Sequence, residues 1–105
     1  MSNRGRFYIT TPIYYPNAEP HLGHVYTTIC ADVLARYHRL IGDDTWFLTG
    51  TDEHGIKMVK TAESLNTTPA ELVDKNVPIF ESLWKELDIR NDDFIRTTSA
   101  RHKQG

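Results

Sequence analysis

The segment Pro20-His21-Leu22-Gly23-His24 marks the point where an extended stretch of the chain ends and a strongly patterned helix begins. Downstream of it, apolar residues recur at alternating steps of three and one. They are Leu22, Val25, Tyr26, Ile29, Cys30, Val33, Leu34 and Tyr37. This spacing predicts a helix of about five turns with a single apolar stripe that faces the core.

Two histidines, His21 and His24, lie three residues apart at the start of this helix, with Gly23 between them. The first backbone N–H groups of a helix lack intrahelical partners and the helix dipole is positive there, so the position suits an anion. Gly23 would let a flat base approach the backbone. These features indicate a nucleotide site, while a metal-binding histidine pair and two histidines that cap the helix remain as alternatives.

The composition of the 105 residues indicates one small globular domain, with 39% hydrophobic and 25% charged residues. A formal net charge of -2 predicts no broad basic surface, so any contact with RNA is expected to lie mainly elsewhere.

The single cysteine, Cys30, is expected in the core of a protein from a reducing compartment, and it excludes a disulfide framework and a Cys-based zinc site. The stretch from Met1 to Arg6 lacks the apolar core of a secretory signal and no apolar run of about 18 residues exists, so we expect a cytoplasmic protein.

Strands are predicted on both sides of the first helix. Arg6 to Pro12 is rich in β-branched and aromatic residues and is expected to be buried, and Thr45 to Thr49 contains the apolar run Trp46-Phe47-Leu48. The helix is expected to end at Gly42, which can take the left-handed conformation. A strand, a helix and a strand in this order predict a parallel, right-handed βαβ unit, with a loop from Ile13 to Pro20.

The remainder of the chain predicts two more helices and one short strand. A helix with an apolar side follows Gly55, and Thr68-Pro69-Ala70-Glu71 is a strong helix start with Thr as the N-cap. Pro78 predicts a kink or a break about two residues earlier in that helix. The segment from Asp92 to Thr98 predicts a short strand, and no further element is expected from Ser99 onward.

Loops that leave the carboxyl ends of adjacent parallel strands meet at one edge of the sheet, where such sheets bind ligands. The βαβ unit therefore predicts a convergent polar cluster at this edge. Its members are Tyr15, Asn17, His21, His24, Asp52 and His54.

Three segments carry a resemblance to a known family. They are Phe7-Tyr8-Ile9-Thr10-Thr11-Pro12-Ile13-Tyr14-Tyr15, Pro20-His21-Leu22-Gly23-His24 and Leu48-Thr49-Gly50-Thr51-Asp52-Glu53-His54-Gly55. In this order they resemble the start of the methionyl-tRNA synthetases, and the resemblance runs from about Arg6 to Lys103. The pattern His-x-Gly-His alone indicates class I synthetases and related nucleotidylyl transferases, and the segment around Asp52 narrows the resemblance to the methionine enzymes.

The resemblance implies an α/β fold: the first half of a Rossmann-type doubly wound parallel sheet, in a HUP-like class I synthetase catalytic domain. The family's Lys-Met-Ser-Lys-Ser signature, cysteine-rich zinc insertion and anticodon-binding domain do not occur in this sequence. Residues 1–105 are therefore expected to form an N-terminal, incomplete part of that catalytic domain, and zinc is expected only in the part that is missing.

The family's reaction joins methionine to ATP as methionyl adenylate, with Mg²⁺, before transfer to tRNA(Met). By resemblance, His21 and His24 are the catalytic residues, which stabilise charge on the α-phosphate while the methionine carboxylate attacks. The resemblance also assigns Asn17, Pro20 and Gly23 to ATP, with Gly23 under the adenine. It implies no protein-bound metal among these residues.

The resemblance assigns Ile13 and Tyr15 to the side of methionine and Asp52 to its ammonium group. From the residues alone, Ile13 and Tyr15 could instead pack on the domain, Asp52 could cap the helix after Gly55, and His54 could only hydrogen-bond its loop. Two other functions also remain open. One is a nucleotidylyl transferase that acts on another acceptor, and the other is a non-catalytic nucleotide-binding module that keeps the fold without turnover.

Overall fold

The computed structural model describes residues 5–104, which form a three-stranded sheet and four helices. In chain order the elements are β1 (Arg6–Thr10), α1 (Leu22–Leu40), β2 (Asp44–Thr51), α2 (Ile56–Ser64), α3 (Pro69–Glu86), β3 (Asp93–Arg96) and α4 (Ala100–Gln104). The strand order is β1-β2-β3 and both strand pairs are parallel, which confirms the predicted α/β class and the parallel unit β1-α1-β2. Residues 1–4 and residue 105 lie outside the described part. The prediction about a secretory signal concerns Met1 to Arg6 and therefore falls mostly on these residues.

The core lies between one face of the sheet and helices α1 and α3. Its buried apolar residues form three clusters: Ala31, Ala35 and Phe47; Tyr14, Phe80 and Trp84; and Met58, Ala62, Leu72, Val73 and Val77. Phe94 of β3 packs against the second and third clusters, so it joins α2 and α3 to the sheet. Each fully buried large side chain contributes about 1.5–3 kcal/mol, so these clusters supply most of the stabilisation of the fold.

The predicted apolar stripe of α1 does not face the core, and this prediction is wrong. Leu22 is 81% exposed, Tyr26 is 71% exposed, and Cys30, expected in the core, is exposed as well. The buried residues of α1 are Thr28, Ala31, Asp32 and Ala35. The two alanines let α1 approach the sheet closely, and the Asp32 carboxylate is buried at low cost because it accepts the backbone N–H of Arg90 at 2.8 Å.

The second face of the sheet is open within residues 5–104. Tyr8 of β1 pairs in register with Trp46 of β2, and these side chains are 61% and 48% exposed. Strand β1 ends at Thr10 rather than at Pro12, and its residues alternate between exposed and half-buried. The prediction of a buried first strand is therefore wrong for one of its two faces.

The structure confirms the predicted stop signal after α1 and the predicted start signal before α3. Gly42 follows α1 with φ at 94°, the left-handed conformation that favours glycine. At the start of α3, the Thr68 side chain accepts the backbone N–H of Glu71 at 3.2 Å.

Among residues 5–104, no helix combines the length and the apolar character needed to cross a membrane.

In the second half of the chain, the predicted break in α3 does not occur, and the prediction that no element follows Ser99 is wrong. Pro78 does not break α3, which runs from Pro69 to Glu86, because the buried Val77 and Phe80 on either side of it hold the helix against the core. Beyond Ser99 the chain forms the short helix α4 rather than no element. The Arg101 guanidinium of α4 donates two hydrogen bonds of 2.6 Å to the Asp93 carboxylate, which ties this helix to β3.

Candidate active site

An open cavity of about 450 Å³ lies beside the start of α1. Five residues that the sequence assigns to ligands line it, namely Ile13, Tyr15, Asn17, His21 and His24. Pro12, Tyr14, Ala18, Glu19 and Lys57 also line it. The structure therefore brings the histidine pair together with the loop after β1, as the βαβ unit predicts.

Three of the predicted site residues do not line this cavity. Pro20 lies in a separate groove beside α3, Gly23 lies on the exposed first turn of α1, and Asp52 lies in the loop after β2. Glu19 and Lys57 line the cavity although the sequence did not single them out for it. The position of Lys57 in the first turn of α2, directly after the loop of Asp52, is the signal that could have identified it.

The two histidines cap α1 reciprocally. His21 is the N-cap residue, and its Nδ1 accepts the backbone N–H of Gly23 at 3.0 Å. His24 is the third helical residue, and its Nδ1 accepts the backbone N–H of His21 at 3.0 Å. The two rings stack with their centroids 3.8 Å apart. The pair therefore caps the helix and lines the cavity at the same time.

These hydrogen bonds assign the tautomer of both rings. An imidazole nitrogen that accepts a hydrogen bond carries no proton, so the proton of the neutral ring lies on Nε2. His21 and His24 thus each offer an Nε2–H donor at a helix N-terminus, where an anion is favoured. A metal ion bound at Nε2 would move the proton to Nδ1 and break the cap, so the geometry favours an anion over a metal ion.

The surroundings of His24 favour the neutral state of its ring. The pKa of His24 is lowered, mainly by burial of the ring and secondly by the positive charge that His21 can carry. Near pH 7 the His24 ring is therefore mainly neutral and keeps its donor on Nε2.

A Cβ atom at Gly23 would lie 2.9 Å from Cε1 of His21, so the glycine makes room for the ring of His21.

Tyr14 fixes the loop that carries Ile13 and Tyr15. Its backbone N–H donates to the carbonyl of Gly50 at 3.1 Å, and its hydroxyl forms a hydrogen bond of 2.9 Å with the buried hydroxyl of Thr28. Because Tyr14 is buried, its two neighbours remain exposed, at 39% for Ile13 and 45% for Tyr15. This exposure argues against the alternative that both residues only pack on the domain.

Asp52 lies next to this loop without lining the cavity. Its backbone N–H donates to the carbonyl of Tyr14 at 2.8 Å, and its carboxylate accepts the backbone N–H of His54 at 3.3 Å. The N-cap of α2 is Gly55, which receives no side-chain hydrogen bond, so Asp52 does not cap that helix. His54 does hydrogen-bond the neighbouring turn, because its Nε2 lies 3.2 Å from the carbonyl oxygen of Thr97.

Glu53 is a buried carboxylate that the sequence did not single out. Burial alone would raise the pKa of Glu53, but hydrogen bonds from Arg96, Thr51 and Thr98, together with the Arg96 charge, outweigh burial and hold the pKa below its ordinary value of 4.5. The same pairing raises the pKa of Arg96. The ion pair is therefore fully formed at neutral pH. Glu53 lies between Asp52 and His54 in a polar loop after β2, so its local sequence gave no signal of burial.

Protonation of Glu53 is expected to destabilise the fold in acid. Because the folded-state pKa lies below the unfolded value, the carboxylate contributes stability above about pH 4.5 that is lost as the pH falls through the folded pKa. The E53Q variant should therefore be less stable than the wild type at pH 7 and should lose less stability between pH 5 and pH 3. Urea unfolding across that range measures both effects.

The matched control for this titration is E81Q, which removes the same charge from an exposed position on α3. Its dependence of unfolding free energy on pH should follow that of the wild type. Parallel pH curves for E53Q and the wild type would contradict the assignment of the low pKa to Glu53.

The family model for tRNA synthetases class I (M) matches residues 7–105. The methionine–tRNA ligase of Bacillus subtilis is 59% identical over 97 residues, which are 92% of this chain and 15% of that protein. The methionine–tRNA ligase of Thermotoga maritima is 57% identical over 97 residues, again 92% of this chain and 15% of that protein. The chain therefore spans about a sixth of the length of these relatives.

A solved structure gives the same result for the fold. The Mycobacterium tuberculosis methionyl-tRNA synthetase in complex with methionyl-adenylate aligns with a TM-score of 0.91 at 44% sequence identity. The alignment covers 96% of this chain and 20% of that one. The three-stranded parallel sheet with its helices is thus similar to about a fifth of that larger structure.

Proposed function

Because this chain belongs to the class I tRNA synthetases of the methionine group, we propose that it forms part of a methionine–tRNA ligase. In that enzyme methionine reacts with ATP to give methionyl adenylate, and the methionyl group is then transferred to tRNA(Met). One observation carries the proposal: two Nε2–H donors at the N-terminus of α1 line the same cavity as Ile13 and Tyr15.

The proposed chemistry needs no protein nucleophile. An oxygen of the methionine carboxylate attacks the α-phosphorus of ATP, the new carboxyl oxygen–phosphorus bond forms, and the bond to the bridging oxygen breaks to release pyrophosphate. Negative charge on the α-phosphate oxygens increases in the transition state, and donors that are already oriented stabilise it without reorganisation. His21 and His24 are such donors, because the reciprocal cap fixes both rings before ATP binds.

We assign Asn17, Pro20 and Gly23 to ATP together with the histidines, and ATP enters as its magnesium complex. Asn17 lines the cavity and can offer its side-chain amide to phosphate oxygens. Pro20 and Gly23 do not line the cavity, and their assignment rests on their place beside His21 and His24 in the sequence. Any zinc ion of the complete enzyme that depends on several cysteines would bind outside these 105 residues, because Cys30 is their single cysteine.

We assign methionine to the loop after β1. Ile13 and Tyr15 expose apolar and aromatic surface for the thioether side chain, and thioether sulfur makes favourable contacts with aromatic rings. Asp52 is the proposed partner of the ammonium group, because its side chain is partly exposed and its backbone N–H donates to the Tyr14 carbonyl, which ties Asp52 to this loop.

We further propose that residues 1–105 are the N-terminal part of the catalytic domain, that tRNA(Met) binds mostly through other regions, and that the enzyme acts in the cytoplasm. The exposed side chains of Tyr8, Trp46 and Leu22 support the first of these proposals, because they would be buried by the remainder of such a domain. A second candidate is a non-catalytic nucleotide-binding module, which the capping hydrogen bonds of His21 and His24 favour, because a helix cap requires no turnover.

The test is methionine-dependent isotope exchange between pyrophosphate and ATP. We expect no exchange from the isolated 105-residue chain, because the triphosphate lacks the lysine-rich signature that would offset its charge. A chimera in which this chain replaces the matching segment of the Bacillus subtilis enzyme should catalyse the exchange, since the two segments are 59% identical.

A chimera that carries replacements of both His21 and His24 is the control for contaminating synthetase. Exchange by the isolated chain that disappears in the same double variant would contradict the proposal that the site is incomplete. A folded chimera with no exchange, beside an active Bacillus subtilis enzyme, would contradict the proposed function and favour the non-catalytic module.

A further inference from the structure

We propose that Glu53 is a positioning residue for amino acid recognition: its buried hydrogen-bond network holds the neighbouring Asp52 carboxylate where it meets the ammonium group of methionine. The inference rests on the proposed function and deepens it. It identifies what fixes the geometry of the ammonium site, which lies outside the cavity formed by the histidine pair.

The first observation is that the Glu53 carboxylate is fully buried and fully satisfied. Oε2 accepts the Thr51 hydroxyl at 2.6 Å and Nε of Arg96 at 2.8 Å. Oε1 accepts Nη2 of Arg96 at 3.0 Å and the Thr98 hydroxyl at 2.6 Å. The four donors come from the end of β2, from β3 and from the turn after β3, so this one side chain joins three segments.

The second observation is that the backbone around Asp52 is anchored on both sides. The N–H of Asp52 donates to the Tyr14 carbonyl at 2.8 Å, and the N–H of Glu53 donates to the Thr97 hydroxyl at 2.8 Å. The ring of His54 contacts the Thr97 carbonyl at 3.2 Å. With this backbone fixed, the Asp52 carboxylate can move only about its own side-chain torsions, which preorganises it for a cation.

The third observation concerns charge. Arg96 pairs with Glu53 and also donates to Asp74 of α3 at 3.1 Å, so the network extends from the loop of Asp52 to a long helix. A glutamine at position 53 would direct its amide N–H₂ at donors on Arg96 or Thr51. Only a carboxylate satisfies all four donors, which explains a buried charge at this place.

The test uses the turn after β3, because Thr98 supplies one of the four donors from an exposed position. T98V removes that donor without altering Asp52, Glu53 or Arg96, and T98S keeps the hydroxyl. R101Q is the matched control, since it breaks an ion pair with Asp93 that does not contact the loop of Asp52. E53Q and D52N complete the set.

The measurement is calorimetric titration of the chimera with the Bacillus subtilis enzyme, in which the site is complete, with L-methionine and, separately, with ATP. We expect T98V to weaken methionine binding by about 3- to 10-fold and E53Q to weaken it more, because each loses hydrogen bonds to a buried charge. T98S and R101Q should bind methionine like the wild type. ATP binding should be unchanged in T98V, E53Q, T98S and R101Q. A general loosening of the fold would instead weaken the binding of both ligands.

The outcomes separate this inference from the proposed function. If D52N weakens methionine binding while T98V and E53Q bind like the wild type, the positioning role is overturned and the function stands. If T98V weakens methionine and ATP equally, Glu53 only stabilises the fold and the inference is also overturned. If the wild type binds no methionine, or D52N binds it unchanged, the proposed ammonium site is wrong and the inference fails with it.

Discussion

Replacement of Gly50 by alanine is expected to destabilise the chain more than the same replacement at Gly5, Gly23 or Gly55. Gly50 lies in the central strand β2 and pairs with Ile95 of β3. A Cβ atom at Gly50 would lie 2.1 Å from the Ile95 carbonyl oxygen and 2.9 Å from its carbonyl carbon. These are backbone atoms, so no change of side-chain rotamer can relieve the clash.

The added methyl group can be accommodated only if β3 moves away from β2. That movement would break strand pairing that also positions Arg96, the partner of buried Glu53. We expect a loss of about 3 kcal/mol or more, at the upper end of the range for overpacked sites. For a domain of this size the unfolding temperature should fall by more than about 12 °C.

Thermal unfolding followed by circular dichroism measures this effect, and G5A is its matched control. A Cβ atom at Gly5 has no heavy atom within 4 Å, and its backbone N–H remains free to donate to Asp43. G5A should unfold within about 0.5 kcal/mol of the wild type. Equal unfolding temperatures for G50A and G5A would show that the β2-β3 spacing described above is wrong.

The sequence predicted the order of strands and helices because local signals set it. Gly42 ends α1 through its left-handed conformation, and Thr68 begins α3 through its side-chain cap, as expected. The burial of α1 was not predictable in the same way. Periodicity reports which residues share a face of a helix, but not which face meets the sheet, and here the small residues Ala31 and Ala35 are buried.

The residues of the site were likewise predictable only where local signals position them. Motif spacing and the βαβ topology placed Ile13, Tyr15 and the histidine pair around one cavity. Ile13 and Tyr15 follow the end of β1, and the histidines lie at the start of α1. The role of Glu53 depends on Arg96, more than forty residues later in the chain, and no local pattern encodes such a contact. The apolar stripe of α1 that was expected in the core is, on the proposed function, surface for the rest of a catalytic domain.

Removal of either Nε2–H donor is expected to slow adenylate formation by about 100-fold, the typical effect of losing one preorganised donor to a transition-state oxyanion. The reciprocal cap allows this to be tested without loss of structure. Asparagine is among the best N-cap residues, so H21N keeps an acceptor for the Gly23 N–H but removes the ring. Glutamine at the third helical position can reach back to the N-cap N–H, so H24Q keeps the other half of the cap.

In the chimera with the Bacillus subtilis enzyme, single-turnover formation of methionyl adenylate should fall in H21N and in H24Q, while the dissociation constant for ATP changes by much less. This split is expected when contacts strengthen mainly in the transition state. Unfolding temperatures close to that of the parent chimera would confirm that the cap survives. Unchanged single-turnover rates in both variants would refute the catalytic assignment and leave His21 and His24 as capping residues. A stoichiometric zinc ion in the purified chain, lost in both variants, would instead support the metal alternative over the tautomers inferred from the cap.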